Sequence, residues 1–153
     1  MRWSKAVRKA DLDALLAMFK SVVKTAKLNS FSVNGIGYFV DFAFEEPVLQ
    51  YTNGTTIPPG STQFTFSTPI HQAIARAVLP FYRALASSKS YAAALAAAIN
   101  GNHAARVRSL IRRKVPTAAL KCIQIRFSGL FLDFAYASSK FTYRNLLFRE
   151  ITG

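Results

Sequence analysis

Acidic residues are scarce in this sequence and are missing altogether from its middle. The chain of 153 residues has 20 Lys and Arg but only 7 Asp and Glu, which gives a formal net charge of +13. From Pro47 to Leu132 there is no acid, while ten Lys and Arg fall in that interval. Salt bridges within the chain cannot neutralise so many cations, so the composition predicts an anionic partner. Nucleic acid is the commonest such partner, ahead of an anionic membrane or an acidic protein.

Cysteine and long apolar runs are scarce as well. Cys122 is the only cysteine, so no intrachain disulfide can form, and its place in the strand-like KCIQIRF predicts a buried, inert thiol. The longest apolar stretch, SYAAALAAAINGNHAA, is mostly alanine and is interrupted by Asn-Gly-Asn, so no membrane span is expected. The N-terminus, MRWSKAVRKADLDALL, lacks the apolar core of a signal peptide. We therefore expect an intracellular (cytoplasmic) protein, or one within a virion or ribonucleoprotein particle, without a membrane partner.

Motifs of catalysis and cofactor binding are also missing. The sequence has no Walker loop, dinucleotide fingerprint, nucleophile elbow or zinc knuckle. His71 and His103 lack metal-ligand spacing to each other and to Cys122. The sequence therefore predicts a protein that is not an enzyme, with no catalytic residue, no metal and no cofactor.

Half of the residues are hydrophobic, which is enough for one folded domain with a core. Apolar residues at three- and four-residue steps predict an N-terminal helix over about 5–28. Further helices are expected over about 69–114. Thr68 and Pro69 would begin the first of them, and Pro80 would kink or end it.

The other signals in this helical region concern its alanine-rich part and its end. Gly101 is expected to close an alanine-rich second helix, Asn102 to cap a third, and Pro116 to stop that third helix.

Aromatic and β-branched residues predict strands over about 31–66 and about 121–151. Asn53-Gly54 and the Pro-Pro-Gly at 58–60 are turn signals, and residues 140–151 could form a strand or a helix. Together these elements predict a single α+β domain over 1–153. Its mostly antiparallel sheet would pack against the N-terminal helix and the alanine-rich helical layer.

Two segments resemble each other at an offset of 92 residues: GYFVDFAF at 37–44 and GLFLDFAY at 129–136. Two related αβ halves would explain this echo, and so would two similar strands lying side by side. The second explanation is favoured on the ground that the flanks do not align. Asp41 and Asp133 would then lie close together, as a metal pair or an acid/base pair requires. Hydrogen bonds, or ion pairs with Arg126 or Arg144, are the more ordinary roles for such carboxylates.

The segment HAARVRSLIRRKVP, at 103–116, is the strongest functional signal. On a helix, Ala104, Val107, Leu110 and Ile111 would form an inward stripe, with the cations outside it. Like charges this close repel one another, and an external polyanion offsets that repulsion. Arginine forks also match phosphate oxygens. The predicted nucleic-acid-binding residues are Arg106, Arg108, Arg112, Arg113 and Lys114, joined by a stripe of Lys20, Lys24 and Lys27 on the N-terminal helix.

These patterns predict non-enzymatic nucleic-acid binding with low sequence specificity. RNA or single strands are slightly favoured, because no helix resembles a reader of the DNA major groove. Exposed aromatic residues could add base stacking, the candidates being Tyr38, Tyr51, Tyr82, Tyr136 and Tyr143. The alternative is a structural subunit of a virion, phage tail or ribonucleoprotein particle. The many phenylalanines and the long Thr/Pro/Gly loop would suit such a subunit.

Overall fold

The computed structural model describes residues 2–58, 65–127 and 129–149. Within them, five helices accompany a six-stranded antiparallel sheet, so the predicted α+β class is confirmed. The elements in chain order are α1 (Arg2–Lys9), α2 (Leu12–Val22), β1 (Leu28–Val33), β2 (Tyr38–Ala43), β3 (Gln50–Thr56), α3 (Thr68–Ser87), α4 (Lys89–Asn100), α5 (Ala104–Arg112), β4 (Leu120–Arg126), β5 (Gly129–Ala135) and β6 (Thr142–Arg149).

The strand order is β1-β2-β3-β6-β5-β4. Each run of three consecutive strands forms a meander, and the two meanders join where β3 pairs with β6. The strands β1 and β4 are therefore the two edges of the sheet.

The second meander repeats the residue pairing of the first at a constant offset of 92. Asp41 pairs with Thr52 and Asp133 with Arg144, and the same shift relates the pairs that follow. The irregularity between residues 28 and 30 of β1 recurs between residues 120 and 122 of β4. The two meanders are thus one structural unit present twice.

The pairing of β3 with β6 locates the axis that relates the two units. Gly54 pairs with Leu146, and Leu146 is also the residue that corresponds to Gly54 at the offset of 92. On either side of this pair, Thr52 pairs with Phe148 and Thr56 pairs with Arg144. The shift of 92 converts each of these two pairs into the other. The sheet therefore has an approximate two-fold axis through the Gly54–Leu146 pair.

The helices obey the same relation. The N-cap of α2 is Asp11 and that of α5 is His103, and each follows a residue with a φ of 52°, Ala10 and Asn102 respectively. The helices α1 and α4 precede them in corresponding places. The helix α3 connects the two units and has no counterpart among the other described elements.

The sequence echo therefore marks two related halves, and the favoured explanation of neighbouring strands is wrong. The strands β2 and β5 are separated by β3 and β6. The flanks do align once the shift of 92 is applied without gaps. Identical pairs outside the echo include Val23 and Val115, Leu28 and Leu120, Tyr51 and Tyr143, and Asn53 and Asn145.

The helices cover one face of the sheet. One buried cluster joins α3, α4 and α5 to the strands, and a smaller one joins α1 and α2 to Phe31, Val33 and Tyr38. Over the joint between the halves, the Tyr82 hydroxyl donates to Asn145 Oδ1 at 2.7 Å and accepts from Asn53 Nδ2 at 2.8 Å. One residue of α3 thus bridges the two equivalent asparagines.

The predicted single N-terminal helix over 5–28 is wrong. Ala10, in the left-handed region, breaks it, and Asp11 caps a new helix by accepting a hydrogen bond from the Ala14 amide at 3.0 Å. The helix α2 then ends at Val22. Hydrophobic periodicity continues across both breaks, so periodicity alone does not reveal them.

Several turn and boundary predictions also need correction. Asn53 and Gly54 lie inside β3 and not in a turn, and β1 and β2 before them form a hairpin. Towards the other end of the sequence, β4 and β5 form a second hairpin. Pro80 lies within α3 and does not end it.

At the helix caps, Gly101 is the C-cap of α4, as expected, whereas Ser67 and His103 take the N-cap positions assigned to Thr68 and Asn102. The segment after residue 140 is the strand β6. Residues 59–64, which include most of the predicted Pro-Pro-Gly turn, and 150–151 lie outside the described residues.

Candidate nucleic-acid interface

The helix α5 carries the cations on the side that faces away from the core. Val107, Leu110 and Ile111 are buried, as the periodicity predicts, whereas Ala104 is exposed. Arg106, Arg108, Arg112 and Arg113 are exposed, and Lys114 is half-buried just beyond the helix.

These cations have few partners among the residues that the structure describes. Arg112 Nη2 donates to the Leu120 carbonyl oxygen at 3.2 Å, and Lys114 Nζ lies 5.6 Å from the centre of the Tyr91 ring. Within the described residues, the only ion pair closer than 4 Å joins Arg144 to Asp133. No carboxylate of the described residues therefore neutralises the cations on α5.

The equivalent helix of the first half shows that the fold does not require these cations. At the offset of 92, Arg106, Arg108, Arg112, Arg113 and Lys114 correspond to Ala14, Leu16, Lys20, Ser21 and Val22. The helix α2 has two acids around its N-terminus, Asp11 and Asp13, where α5 has His103 and Ala105. Two helices in equivalent places thus carry opposite charge balances.

Lys20, Lys24 and Lys27 do not form the predicted helical stripe. All three are exposed, but only Lys20 is on α2, because Lys24 and Lys27 follow the end of that helix. The helix α2 packs beside β1 and α5 beside β4. These edges are five strand spacings apart, roughly 24 Å. The two predicted groups of cations therefore lie at opposite edges of the sheet.

Asp41 and Asp133 do not form a pair. Three strand spacings separate β2 from β5, so the carboxylates are at least roughly 14 Å apart. Asp41 accepts hydrogen bonds from the Ser30 hydroxyl and, at 2.6 Å, from the Thr52 hydroxyl. The structure thus excludes the predicted two-carboxylate site.

Asp133 instead takes one of the ordinary roles expected for it. It accepts two hydrogen bonds from the Arg144 guanidinium, at 2.7 and 2.9 Å, and this pairing raises the Arg144 pKa. The other expected partner, Arg126, donates to Gln124 Oε1 at 3.0 Å. Within the described residues, no group of three His, Cys, Asp or Glu could hold a metal ion.

The two histidines have different environments. His71 is buried against Phe66, with ring centres 4.0 Å apart, and its Nδ1 lies 3.0 Å from the Ser67 carbonyl oxygen. Burial lowers the His71 pKa, so the ring is held neutral. His103 is exposed at the N-cap of α5 but makes no side-chain capping bond.

The five tyrosines predicted as stacking platforms are not exposed. Tyr143 is buried, the other four are half-buried, and burial raises the pKa of the Tyr82 hydroxyl at the joint between the halves. Tyr38, Tyr51 and Tyr143 lie on the helix-covered face, because each shares a face with the core residues paired beside it. They are structural residues.

Phenylalanines on the other face were missed by the sequence analysis. Phe127, Phe131 and Phe148 form a cluster with ring centres 6.0 to 6.1 Å apart. Phe127 is 62% exposed. The sequence signal for Phe127 is its correspondence to Gly35 at the offset of 92. Because glycine is typical of turns, this correspondence predicts that Phe127 lies at the tip of a turn.

Cys122 was predicted to be buried but is exposed. Cys122 follows the irregularity in β4 and pairs with Asp133 on β5. It therefore shares the face of the sheet on which Asp133 lies, opposite the helices. An edge strand with one open face leaves such a side chain accessible.

Comparison with protein families, with curated proteins and with solved structures yields no match. None of the described helices combines the length and hydropathy that a membrane crossing requires. The arguments for function therefore depend on the geometry and charge of the chain itself.

Proposed function

We propose that this protein binds nucleic acid through the exposed cations of α5, without an enzymatic step. The observation that carries the proposal is the set of arginines on α5 without carboxylate partners in the described residues. Clustered cations of this kind neutralise phosphates and release condensed counterions, which is the main source of sequence-independent affinity.

The comparison with α2 supports a functional origin for this charge. The equivalent helix folds in the same place with a single basic residue, Lys20. The guanidinium groups of Arg106, Arg108 and Arg113 make no hydrogen bond or ion pair with the described residues that would explain them structurally. Selection for folding alone therefore does not account for them.

The ligand class we propose is RNA or a single strand, bound with low sequence specificity. The helix α5 offers arginine forks for phosphates but has none of the Asn, Gln, Asp and Glu side chains that read adenine and cytosine edges. The setting we propose is intracellular or inside a nucleoprotein particle.

The direct test replaces Arg106, Arg108 and Arg113 with Gln. Each phosphate contact to a single strand contributes about −0.7 to the slope of log affinity against log salt, so losing three should flatten the slope by about 2 units. The matched control replaces Arg2, Lys5 and Lys9, three exposed cations on α1, with Gln and so loses the same charge. Affinity for oligouridylate, measured over a salt series, should fall much further in the α5 variant.

Equal losses in the two variants would contradict the proposal, because they would show a response to net charge alone. A third outcome supports the structural alternative. In that outcome the parent protein sediments as large particles, and the α5 variant binds oligouridylate like the parent but does not form such particles.

A further inference from the structure

The sheet has one face on which no described helix packs. Strand partners share a face, so the pairs that include Asp41 and Asp133 define this uncovered side. Both buried clusters use residues of the opposite face. The uncovered face carries Phe39, Asp41, Thr52, Gly54, Cys122, Gln124, Phe131, Asp133, Arg144, Leu146 and Phe148.

The aromatic cluster on this face ends in a strained residue. Phe127 occupies the β4–β5 turn with a φ of 50°, a conformation that bulky side chains rarely adopt. The equivalent residue of the first half is Gly35, with a φ of 76°. Glycine would serve this turn without strain, yet the second half places an exposed aromatic ring there. Strain of this kind is concentrated at functional sites.

The charge near the cluster is also positive. Arg126, next to Phe127, is exposed. The Arg144 guanidinium lies 4.9 Å from the centre of the Phe131 ring and neutralises Asp133. In the first half, the Asp41 carboxylate accepts hydrogen bonds from the Ser30 and Thr52 hydroxyls, and Thr56 takes the place of Phe148. The second half therefore combines aromatic rings with cations on the uncovered face, whereas the first half does not.

This face is continuous with α5 around the β4 edge. Arg112 of α5 contacts the first residue of β4, Leu120, through the carbonyl oxygen. Along β4, Lys121 and Arg126 are exposed. Cations therefore continue from the outer side of α5, past the edge strand, to the turn that holds Phe127.

We infer that a single-stranded nucleic acid passes around the β4 edge, with its phosphates on α5 and β4 and a base stacked on Phe127. This inference rests on the proposed function and adds a means by which the protein distinguishes single strands from duplexes. Bases of a single strand are free to stack on an aromatic ring, whereas those of a duplex are already stacked on one another. Sequence tolerance follows, because every base has a π-face.

The test compares two probes: a short oligouridylate, and an abasic strand of the same length with the same backbone. The parent protein should bind the oligouridylate about tenfold more tightly, the size expected for one stacked base. In Phe127→Ala this preference should disappear, while affinity for the abasic strand and the salt slope stay unchanged. Phe44→Ala is the matched control, because Phe44 is also an exposed phenylalanine, at 55%, but lies in the first half.

The outcomes separate this inference from the proposed function. If Phe127→Ala keeps the preference, or if the parent binds both probes alike, the stacking site is wrong, although the α5 test can still succeed. If the parent binds neither probe, both proposals fail. If Phe127→Ala instead turns a dimer into a monomer in light scattering, a second copy of the chain covers this face, and the inference is overturned.

Discussion

The two halves of the molecule share a backbone but differ in charge and surface. Residues at the offset of 92 agree in strand pairing, in the irregularity of the edge strand, and in left-handed residues before α2 and α5. They disagree in the outward side chains of these two helices and in the turn that holds Gly35 or Phe127. A feature that both halves share is explained by the fold. A feature of one half alone requires another cause.

This comparison separates structural from functional residues without any related sequence. Gly37 and Gly129, or Asn53 and Asn145, recur because the sheet needs them at both places. The arginines of α5 and the exposed Phe127 occur once, and the same backbone forms without them in the first half. This difference supports placing the proposed binding surface in the second half.

The largest effect is expected at the paired glycines. A Cβ on Gly37 would collide with the Thr55 carbonyl oxygen and Thr56, and one on Gly129 with the Leu147 carbonyl oxygen and Phe148. Gly37→Ala and Gly129→Ala should each lower the free energy of unfolding by at least about 3 kcal/mol in chemical denaturation.

The control for this pair is Gly101→Ala, whose Cβ would collide only with the movable His103 side chain and would lie 3.3 Å from the Ala97 carbonyl oxygen. It should be destabilised far less. A large loss in only one of the two glycine variants would break the equivalence of the halves.

The next effect concerns the joint between the halves. Tyr82→Phe removes the hydroxyl between Asn53 and Asn145 and leaves the Asn145 oxygen without its donor. Chemical denaturation should show a loss of about 1–2 kcal/mol. Tyr136→Phe, which removes a half-buried hydroxyl for which no partner is described, should be nearly neutral. An equally neutral Tyr82→Phe would show that the bridge does not hold the halves together.

A smaller effect on stability is expected at the two equivalent turns that hold Gly35 and Phe127. At Phe127 the left-handed backbone should make the Gly variant about 1 kcal/mol more stable than the Ala variant. Gly35→Ala should lower the free energy of unfolding by a similar amount. At Phe44 the order should be reversed, because glycine there only adds flexibility to the unfolded chain. Thermal unfolding of the five variants gives the comparison, and Ala more stable than Gly at position 127 would contradict the shared turn geometry.

The smallest effect is the pH response of His71. Its folded-state pKa lies below the ordinary 6.5, so its contribution to stability is complete above about pH 6.5 and is lost as the pH falls below that value. The loss should be less than about 1 kcal/mol per pH unit between about pH 6.5 and 5, above the range of ordinary carboxylates. His71→Gln should flatten this slope, and His103→Gln should not. An unchanged slope in His71→Gln would contradict a buried neutral ring.

Much of this architecture can be predicted from the sequence where local signals and tertiary packing agree. The inward residues of α5 follow helical periodicity, and its exposed cations follow directly. Prediction fails where a tertiary contact overrides a local preference. Asn53-Gly54 is a turn signal, yet Asn53 is needed beneath Tyr82, and a Cβ on Gly54 would collide with the Tyr38 carbonyl oxygen. The echo alone does not decide between the two arrangements, whereas the identities outside it at the same offset, such as Tyr51 with Tyr143, already indicate two related halves in the sequence.

The central claim is that binding depends on the cations of α5 and not on the net charge of the protein. The most direct measurement transfers charge between the equivalent helices. Arg108→Gln and Arg113→Gln on α5 are combined with Ala17→Arg and Ser21→Arg at exposed positions of α2, which keeps the net charge at +13. The account predicts weaker binding to oligouridylate and a salt slope flatter by about 1.4 units, which corresponds to two lost phosphate contacts. An affinity and slope equal to those of the parent would contradict it.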